Sequence, residues 1–469
     1  TSMILRRMRT PFIMLISAYN IAILGMILIP GVDDQGNPIQ MSIFHAFYFV
    51  SFTATTIGFG EIPYPLSEAQ RLWAVFSIYI LVIAWLYAIG KILALVQDPH
   101  FKAAVTSSRF KKNVRNLHEP FYLVCGLGET GHEVVTALTE EHYRAVVIEK
   151  NPNNLNEIRL NDMREFVPSI IGDASDAHQL EDAGIRHPKC YGVIAVTAAD
   201  DTNLKIAITS KLLHPGVKVV CRSELKEYEE NMLSFGTDNV VNPFETFATI
   251  FQMVMHSPSL YLINDWLTGA PYTKLSDPIY FRYGHWILCG YGRFGKQLYR
   301  LLIEQDIEVT VIDPSVDVRD EFEHHHGDHK NNFIVGTGID EKTLKAAGIE
   351  SSAGIIAGSN NDSNNLSIIM TARAINPDVF VVARQNIYNN YDLYSATKAN
   401  LIMRPREITA RKIRAVFLNP LLVDYLEIAK EYKDEWANIA ISRMSAVIGN
   451  HNPHIWTVEI NENQTPAVS

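Results

Sequence analysis

The sequence predicts a multidomain membrane protein, in which an α-helical segment with two membrane spans precedes two α/β domains with parallel sheets. Two apolar stretches within residues 11–97 are each long enough to cross a bilayer, and the rest of the chain contains one α/β pattern twice. Residues 1–118 carry 10 Lys and Arg against 5 Asp and Glu, whereas the whole chain of 469 residues has a net charge of −10. A basic, apolar front and an acidic rear indicate two environments rather than a surface for nucleic acid.

The first apolar stretch covers residues 11–30 and contains no charged residue. Because 20 residues of helix measure about 30 Å, this stretch matches the thickness of a bilayer core. A signal peptide would have a shorter apolar stretch and a small-residue cleavage site, which the following GVDDQGNPIQ does not match. The second stretch covers residues 71–97, and after Arg71 its only charged residue is Lys91. We therefore expect two spans.

Basic residues flank the pair of spans on one side of the membrane. They are Arg6, Arg7 and Arg9 before the first span, and Lys102, Arg109, Lys111, Lys112 and Arg115 after the second. The loop between the spans has Asp33 and Asp34, with only Arg71 near its end. Since cytosolic flanks are enriched in Lys and Arg, both termini are predicted to be cytosolic, in a plasma or inner membrane.

Residues 42–54, between the spans, are apolar but too short to cross, which suits a re-entrant helix. The segment TATTIGFGE begins at their end. A dehydrated cation needs oxygen ligands in place of water, and backbone carbonyls can supply them at successive levels. Glycines adopt backbone angles that are closed to other residues, so neighbouring carbonyls can line one axis. Gly58 and Gly60 suit this arrangement, and Thr56 could add a ring of hydroxyl groups.

The rear of the chain is an internal repeat. FYLVCGLGETGHEVVTAL matches HWILCGYGRFGKQLYRLL at an offset of 164 residues, and GVIAVTAADDTNL later matches GIIAGSNNDSNNL at an offset of 162. Each copy alternates short Val- and Ile-rich runs with helical periodicity, which predicts a parallel sheet with helices on both faces. The two copies are predicted at residues 119–282 and 283–469, behind a membrane segment at 1–97 and a linker at 98–118.

Each copy contains G-x-G-x-x-G between a strand and a helix, and an acidic residue at the end of the next strand. In a Rossmann-like domain this loop admits a diphosphate at the helix N-terminus, and the carboxylate accepts hydrogen bonds from ribose. Because a carboxylate would repel a 2′-phosphate, NAD or ADP, or another adenine nucleotide, is favoured over NADP. The predicted nucleotide-binding residues are Gly126, Gly128, Glu129, Thr130, Gly131, Glu149 and Asp173 in the first copy, and Gly290, Gly292, Arg293, Gly295 and Asp313 in the second. Asp173 has Thr337 as its counterpart, so the first copy is expected to bind better.

TATTIGFGE resembles the selectivity filter of potassium channels, with Ile57 for the commoner Val, Phe59 for Tyr and Glu61 for Asp. The resemblance implies that Thr56, Ile57, Gly58, Phe59 and Gly60 bind the ion. The repeated domains resemble RCK domains, also called KTN domains. Over nearly all of residues 1–430, the chain resembles prokaryotic two-transmembrane potassium channels with tandem RCK domains. The resemblance implies a ligand-gated K⁺ channel, a homotetramer in a lipid bilayer, whose eight RCK domains form a gating ring that opens or closes the pore. It also implies a hinge in the inner helix, near Ala84 or at Gly90.

Further residues leave alternatives open. The acidic residues Asp173, Asp176, Asp200 and Asp201 suit calcium, although Asp176 could instead cap a helix and Asp200 could order a loop. The segment EFEHHHGDHK, residues 321–330, suits zinc or nickel, or simply a solvated helix end. The four cysteines show no metal spacing, and are expected as buried residues of strands.

Two other functions compete with that of a channel. A membrane-anchored NAD-dependent oxidoreductase would turn over a substrate, but no nucleophile–base pair or substrate domain is evident, and we expect no enzymatic activity. A regulatory subunit of a separate potassium transporter would normally lack a pore of its own, which residues 11–97 disfavour.

Overall fold

The computed structural model describes residues 2–32, 37–61, 65–160, 164–269, 274–326, 332–453 and 455. The chain divides into two compact units, one ending at Arg109 and the other beginning at Phe110. Its secondary structure matches the predicted fold class, with apolar helices in the first unit and two parallel sheets in the second.

The first unit contains helices and a short two-stranded antiparallel ribbon. Its elements are α1 (Ser2–Leu28), β1 (Gly31–Val32), β2 (Pro38–Ile39), α2 (Ile43–Ala54) and α3 (Glu68–Gln97). Residues Met8–Leu28 of α1 and the whole of α3 are long and apolar enough to cross a membrane. Large apolar side chains on both helices, such as Ile16, Leu72 and Leu86, are more than half exposed. Such faces suit lipid or other copies of the chain rather than water.

Helices α1 and α3 approach closely at Gly25. A Cβ atom at this position would lie 1.9 Å from the ring of Trp73, so only glycine fits there. Trp73 donates its indole N–H to the carbonyl of Ala22 at 3.1 Å. Ser67 begins α3 with a capping box, and Gln70 also donates to the carbonyl of Ile29 at 3.1 Å. These bonds satisfy polar groups that would otherwise be costly in an apolar surrounding.

Helix α3 runs without interruption past both proposed hinge positions. Ala84 is buried in the core between α1 and α3, whereas a Cβ atom at Gly90 would meet nothing within 4 Å. Helix α4 (Pro99–Arg115) then leads into the second unit, where Phe110 and Val114 pack in the first sheet domain.

The first sheet domain is a six-stranded parallel sheet with strand order β5-β4-β3-β6-β7-β8. Central strand β3 is buried along its whole length because helices cover both faces of the sheet. The elements are β3 (Phe121–Cys125), α5 (Glu129–Glu140), β4 (Arg144–Glu149), α6 (Pro152–Leu160), β5 (Ser169–Ile171), α7 (Ala177–Asp182), β6 (Cys190–Ala195), α8 (Asp200–Leu213), β7 (Lys218–Arg222), α9 (Lys226–Ser234), β8 (Asn239–Val241), α10 (Pro243–His256) and α11 (Pro258–Thr268).

The second sheet domain repeats this topology with strand order β11-β10-β9-β12-β13-β14. The elements are β9 (Trp286–Cys289), α12 (Arg293–Glu304), β10 (Val309–Asp313), α13 (Val316–His326), β11 (Phe333–Val335), α14 (Glu341–Ala346), β12 (Gly354–Ala357), α15 (Asp362–Ile375), β13 (Phe380–Arg384), α16 (Tyr391–Ala396), β14 (Leu401–Met403), α17 (Pro405–Leu418), α18 (Pro420–Ala429) and α19 (Asp434–Ile448). All four cysteines are free, buried thiols whose pKa burial raises.

The two sheet domains exchange the helices that follow their last strands. Helix α10 of the first domain shares a core with the second, where Phe247 and Phe251 join Trp286 and Phe294. Helix α17 of the second domain shares a core with the first, and Phe417 packs edge-on against Tyr122 at 5.0 Å. Each domain therefore completes its partner's hydrophobic core.

Candidate functional site

The backbone of the predicted filter alternates in handedness. Thr56, Gly58 and Gly60 have φ angles of 59°, 67° and 97°, whereas Ile57 and Phe59 lie outside the positive-φ region. In an extended strand successive carbonyls point to opposite sides, and reversing every second residue brings them to one side. Glycine allows this reversal at low cost at Gly58 and Gly60, while Thr56 bears the strain of a side chain. This alternation allows the five predicted residues to turn their carbonyls to one side, and their role as ion ligands stays a prediction.

Helix α2 contacts the predicted filter segment through Phe52. The carbonyl of Phe52 accepts hydrogen bonds from the N–H groups of Ile57 at 2.9 Å and Gly58 at 3.4 Å. The ring of Phe59 packs edge-on against the ring of Phe52 at 5.6 Å. Phe59 lacks the phenol hydroxyl of the commoner Tyr, and an aromatic contact holds it instead.

An ion pair lies directly after the filter. Arg71 donates to both carboxylate oxygens of Glu61, at 2.8 and 3.0 Å, and Glu61 also accepts from the N–H of Leu66 at 3.0 Å. This bidentate geometry links the end of the predicted filter segment to the start of α3. The pairing of Arg71 with Glu61 was not predicted, although Arg71 begins the second predicted span and Glu61 directly follows the predicted filter segment.

The glycines of both nucleotide motifs have distinct surroundings. Gly126 and Gly290 have φ angles of 96° and 97°, which make the tight turn after each first strand. A Cβ atom at Gly131 would lie 2.0 Å from the carbonyl oxygen of Gly126, and Gly295 is equally tight. At Gly128, and likewise at Gly292, a Cβ atom would meet nothing within 4 Å. The middle glycine therefore faces open space, where a phosphate can approach α5 or α12.

The acidic residues that end the second strands are turned toward the glycine loops. Glu149 is buried and accepts from the N–H of Leu127, and from that of Asn151 at 2.6 Å. Asp313 accepts in the same way from Tyr291 at 2.8 Å and Ser315 at 3.0 Å. Through these hydrogen bonds both carboxylates stabilise the glycine loops. Their contact with ribose stays a prediction.

The remaining residues predicted in the first domain lie around the start of α5. Thr130 is buried, whereas Glu129 forms an ion pair with Arg406 of the second domain. Asp173 accepts from the N–H of Ser175 at 2.9 Å and pairs with Lys150 at 3.4 Å. Hydrogen bonds from Ser175, together with Lys150, hold the pKa of Asp173 below its ordinary value.

In the second domain, Arg293 pairs with Glu224 of the first domain at 2.7 Å. Its guanidinium also lies 5.6 Å from the ring centre of Phe244, and that of Arg384 lies 5.1 Å away on the same ring. Phe244 is buried, so an aromatic side chain fills the space beside this loop. Arg293 is thus engaged by protein groups rather than presented freely to a phosphate.

Three of the four acidic residues suggested for calcium, Asp173, Asp176 and Asp200, have structural partners. Asp176 caps α7 by accepting from His178, and Asp200 accepts from the N–H groups of Glu224 and Leu225 at 2.9 and 3.0 Å. Among the described residues no group of three His, Cys, Asp or Glu side chains lies close enough to hold a metal. Asp328 and His329 of the cluster in residues 321–330 lie outside the described residues.

A cavity of about 480 Å³ lies between the two sheet domains. Glu129, His132 and Glu133 of α5 line one side, and residues 385–387, 389 and 404–407 of the second domain line the other. Burial raises the pKa of Glu133 and lowers that of Arg406.

Comparison with known proteins agrees with this geometry. The TrkA-N domain family matches residues 122–243 and 286–405, together just over half of the chain, and the ion channel family matches residues 12–98. A probable potassium channel protein 2 of Methanocaldococcus jannaschii is 32% identical over 165 residues, which cover 35% of this chain and 48% of the relative. The chain spans between 34% and 59% of the length of three curated relatives.

Two solved structures share the architecture. GsuK bound to ADP aligns with a TM-score of 0.51 and 18% identity, over 88% of this chain and 98% of that one. GsuK bound to NAD aligns with a TM-score of 0.53 and 16% identity, over 89% of this chain and 83% of that one. At such identity the likeness concerns the fold, and it confirms the predicted order of a two-span channel segment and two Rossmann-like domains.

Proposed function

We propose that this chain, which belongs to the TrkA-N domain family and carries an ion-channel segment ahead of its two copies, is a subunit of a nucleotide-gated potassium channel. The alternating backbone of Thr56–Gly60 carries the proposal. A row of carbonyls on one side of a strand can replace the water shell of K⁺. An oxidoreductase anchored in the membrane has no use for such a row, and nucleotide is proposed as a ligand rather than as a redox coenzyme.

A homotetramer follows from the same row, since one strand offers oxygens on one side of an ion only. Four strands around an axis would complete the coordination, as in the channels that the sequence resembles. Ile57 and Phe59 are more than half exposed in the single chain and would face neighbouring copies. The basic flanks of the spans support cytosolic termini, in a plasma or inner membrane.

The first sheet domain is proposed as the principal nucleotide site. Gly128 and Gly292 both face open space, but Arg293 in the second loop is paired with Glu224 and lies beside the buried ring of Phe244. One of the similar GsuK structures is bound to ADP and another is bound to NAD, which supports an adenine nucleotide as ligand. A ligand shifts gating only through unequal affinity for the open and closed states. Calcium at the acidic residues stays a prediction, as do the domain boundaries.

The test is K⁺ flux through the purified full-length protein in liposomes, titrated with ADP and NAD. We expect K⁺ flux well above Na⁺ flux, and a flux that changes with nucleotide concentration. Equal K⁺ and Na⁺ flux would refute the filter. A selective flux that ignores both nucleotides would refute nucleotide gating and leave the channel function standing.

A further inference from the structure

The cavity between the sheet domains contains an ion pair that joins them. Glu129 lies in the first turn of α5, and Arg406 lies in the first turn of α17. Both residues line the cavity of about 480 Å³ and they contact each other across it. The pair therefore connects the phosphate end of the first nucleotide motif with the second domain.

Arg406 is held in this position by its helix. Farther along α17, Ile413 and Phe417 are buried in the core of the first domain, with Val134 and Leu138 of α5. Since α17 packs along α5, the start of α17 cannot move away from the glycine loop without opening that core. Arg406 is consequently a fixed cation beside the helix end where a diphosphate would bind.

Glu129 occupies the place where such a phosphate would compete. The free N–H groups at the start of a helix favour an anion, and a carboxylate at this point shares that field with any bound phosphate. A phosphate would be repelled by Glu129 and attracted by Arg406, whose guanidinium binds phosphate as readily as carboxylate. If a phosphate replaces Glu129 as the partner of Arg406, the phosphate gains the attraction and Glu129 no longer opposes it.

The second domain has a different arrangement at the equivalent positions. Arg293 stands where the first domain has Glu129, and Phe244 stands where the second domain has Arg406. Arg293 pairs with Glu224 and lies over the ring of Phe244. An aromatic ring cannot exchange a carboxylate for a phosphate, so the exchange is confined to the first site.

We infer that Arg406 is a phosphate-binding residue supplied by the second domain, and that Glu129 holds it until a nucleotide arrives. This inference rests on the proposed nucleotide site of the first domain. It makes the phosphates, rather than the adenosine moiety, the part of the ligand that contacts both domains. Binding would thereby replace a contact between domains by a contact through the ligand.

The test is calorimetric titration of the full-length protein in detergent with ADP and, separately, with adenosine. Arg406→Gln should weaken ADP binding about tenfold and leave adenosine binding within about twofold, since only ADP has phosphates. Glu129→Gln should strengthen ADP binding severalfold, because it removes both the competitor and the like charge. Unchanged adenosine affinity also shows that each variant is folded.

Arg404→Gln is the matched control. Arg404 lines the same cavity, but it lies over the ring of Tyr391 at 4.4 Å and donates to Gln385 at 2.9 Å. We expect its loss to change ADP affinity by less than about threefold. Equal effects of Arg404→Gln and Arg406→Gln, or weaker ADP binding in Glu129→Gln, would overturn the inference. An unmodified protein that binds adenosine but gains nothing from the phosphates would overturn it too, whereas failure to bind either compound would refute the proposed nucleotide site itself.

Discussion

Removing the Phe417 ring should show how strongly the exchanged helix stabilises the first sheet domain. Phe417 is 4% exposed, packs edge-on against Tyr122 at 5.0 Å, and lies 5.1 Å from the ammonium group of Lys218. Truncating a buried Phe to Ala typically costs about 3–5 kcal/mol. We expect Phe417→Ala to cost about 4 kcal/mol, a large part of the roughly 5–15 kcal/mol that stabilises a domain.

The measurement is thermal unfolding of the full-length protein in detergent. At about 2–4 °C per kcal/mol, the midpoint of the transition that includes this domain should fall by roughly 10 °C. Phe166→Ala is the control, because Phe166 is 69% exposed and its loss should shift the midpoint very little. Similar shifts for the two variants would refute the helix exchange as a source of stability.

Gly192 provides a second check on the same helix contact. A Cβ atom at Gly192 would lie 2.4 Å from the ring of Phe417 and 3.2 Å from the carbonyl oxygen of Lys218. Gly192→Ala should therefore be destabilising alone, and less so once Phe417→Ala has removed the ring. Additive losses in the double variant would mean that the two residues do not meet.

Three further predictions concern the pore and cofactor choice. Gly58→Ala should abolish K⁺ selectivity in liposome flux assays, because a side chain is strained at a φ of 67°. The control Gly90→Ala should still conduct K⁺ in preference to Na⁺, because a Cβ atom at Gly90 has open space around it. Glu61→Gln and Arg71→Gln should each shorten channel openings in single-channel recordings by similar factors, because each breaks the same ion pair. The double variant should have openings as long as those of either single variant, and additive shortening would contradict a shared ion pair. NAD should change open probability at concentrations at least about tenfold lower than NADP. Glu149→Gln should reduce this difference, because it removes the like charge near a 2′-phosphate. Equal midpoints of the NAD and NADP dose–response curves in the unmodified protein would contradict a contact of Glu149 with ribose.

Much of the fold could be predicted from local properties of the sequence. The length of the apolar stretches at residues 11–30 and 71–97 matches a bilayer, and Met8–Leu28 and Glu68–Gln97 are helices of that kind. Glycine at positions 58 and 126 permits a positive φ angle, and both residues have one. The internal repeat predicted two copies of one domain, and the sheets share one strand order. Each of these features depends on residues close in the chain or on a pattern that the chain repeats.

Partners distant in sequence could not be predicted in the same way. The sequence by itself determined that α10 and α17 have apolar faces, but such a face fits a sheet of either domain, so only the tertiary structure decided that the helices are exchanged. It also decided that Arg406 meets Glu129, and that Arg71 meets Glu61. Charge and hydrophobicity are properties of single residues and favour many partners equally. Which partner is reached depends on the packing of the whole chain, because that packing alone brings distant side chains within a few ångströms.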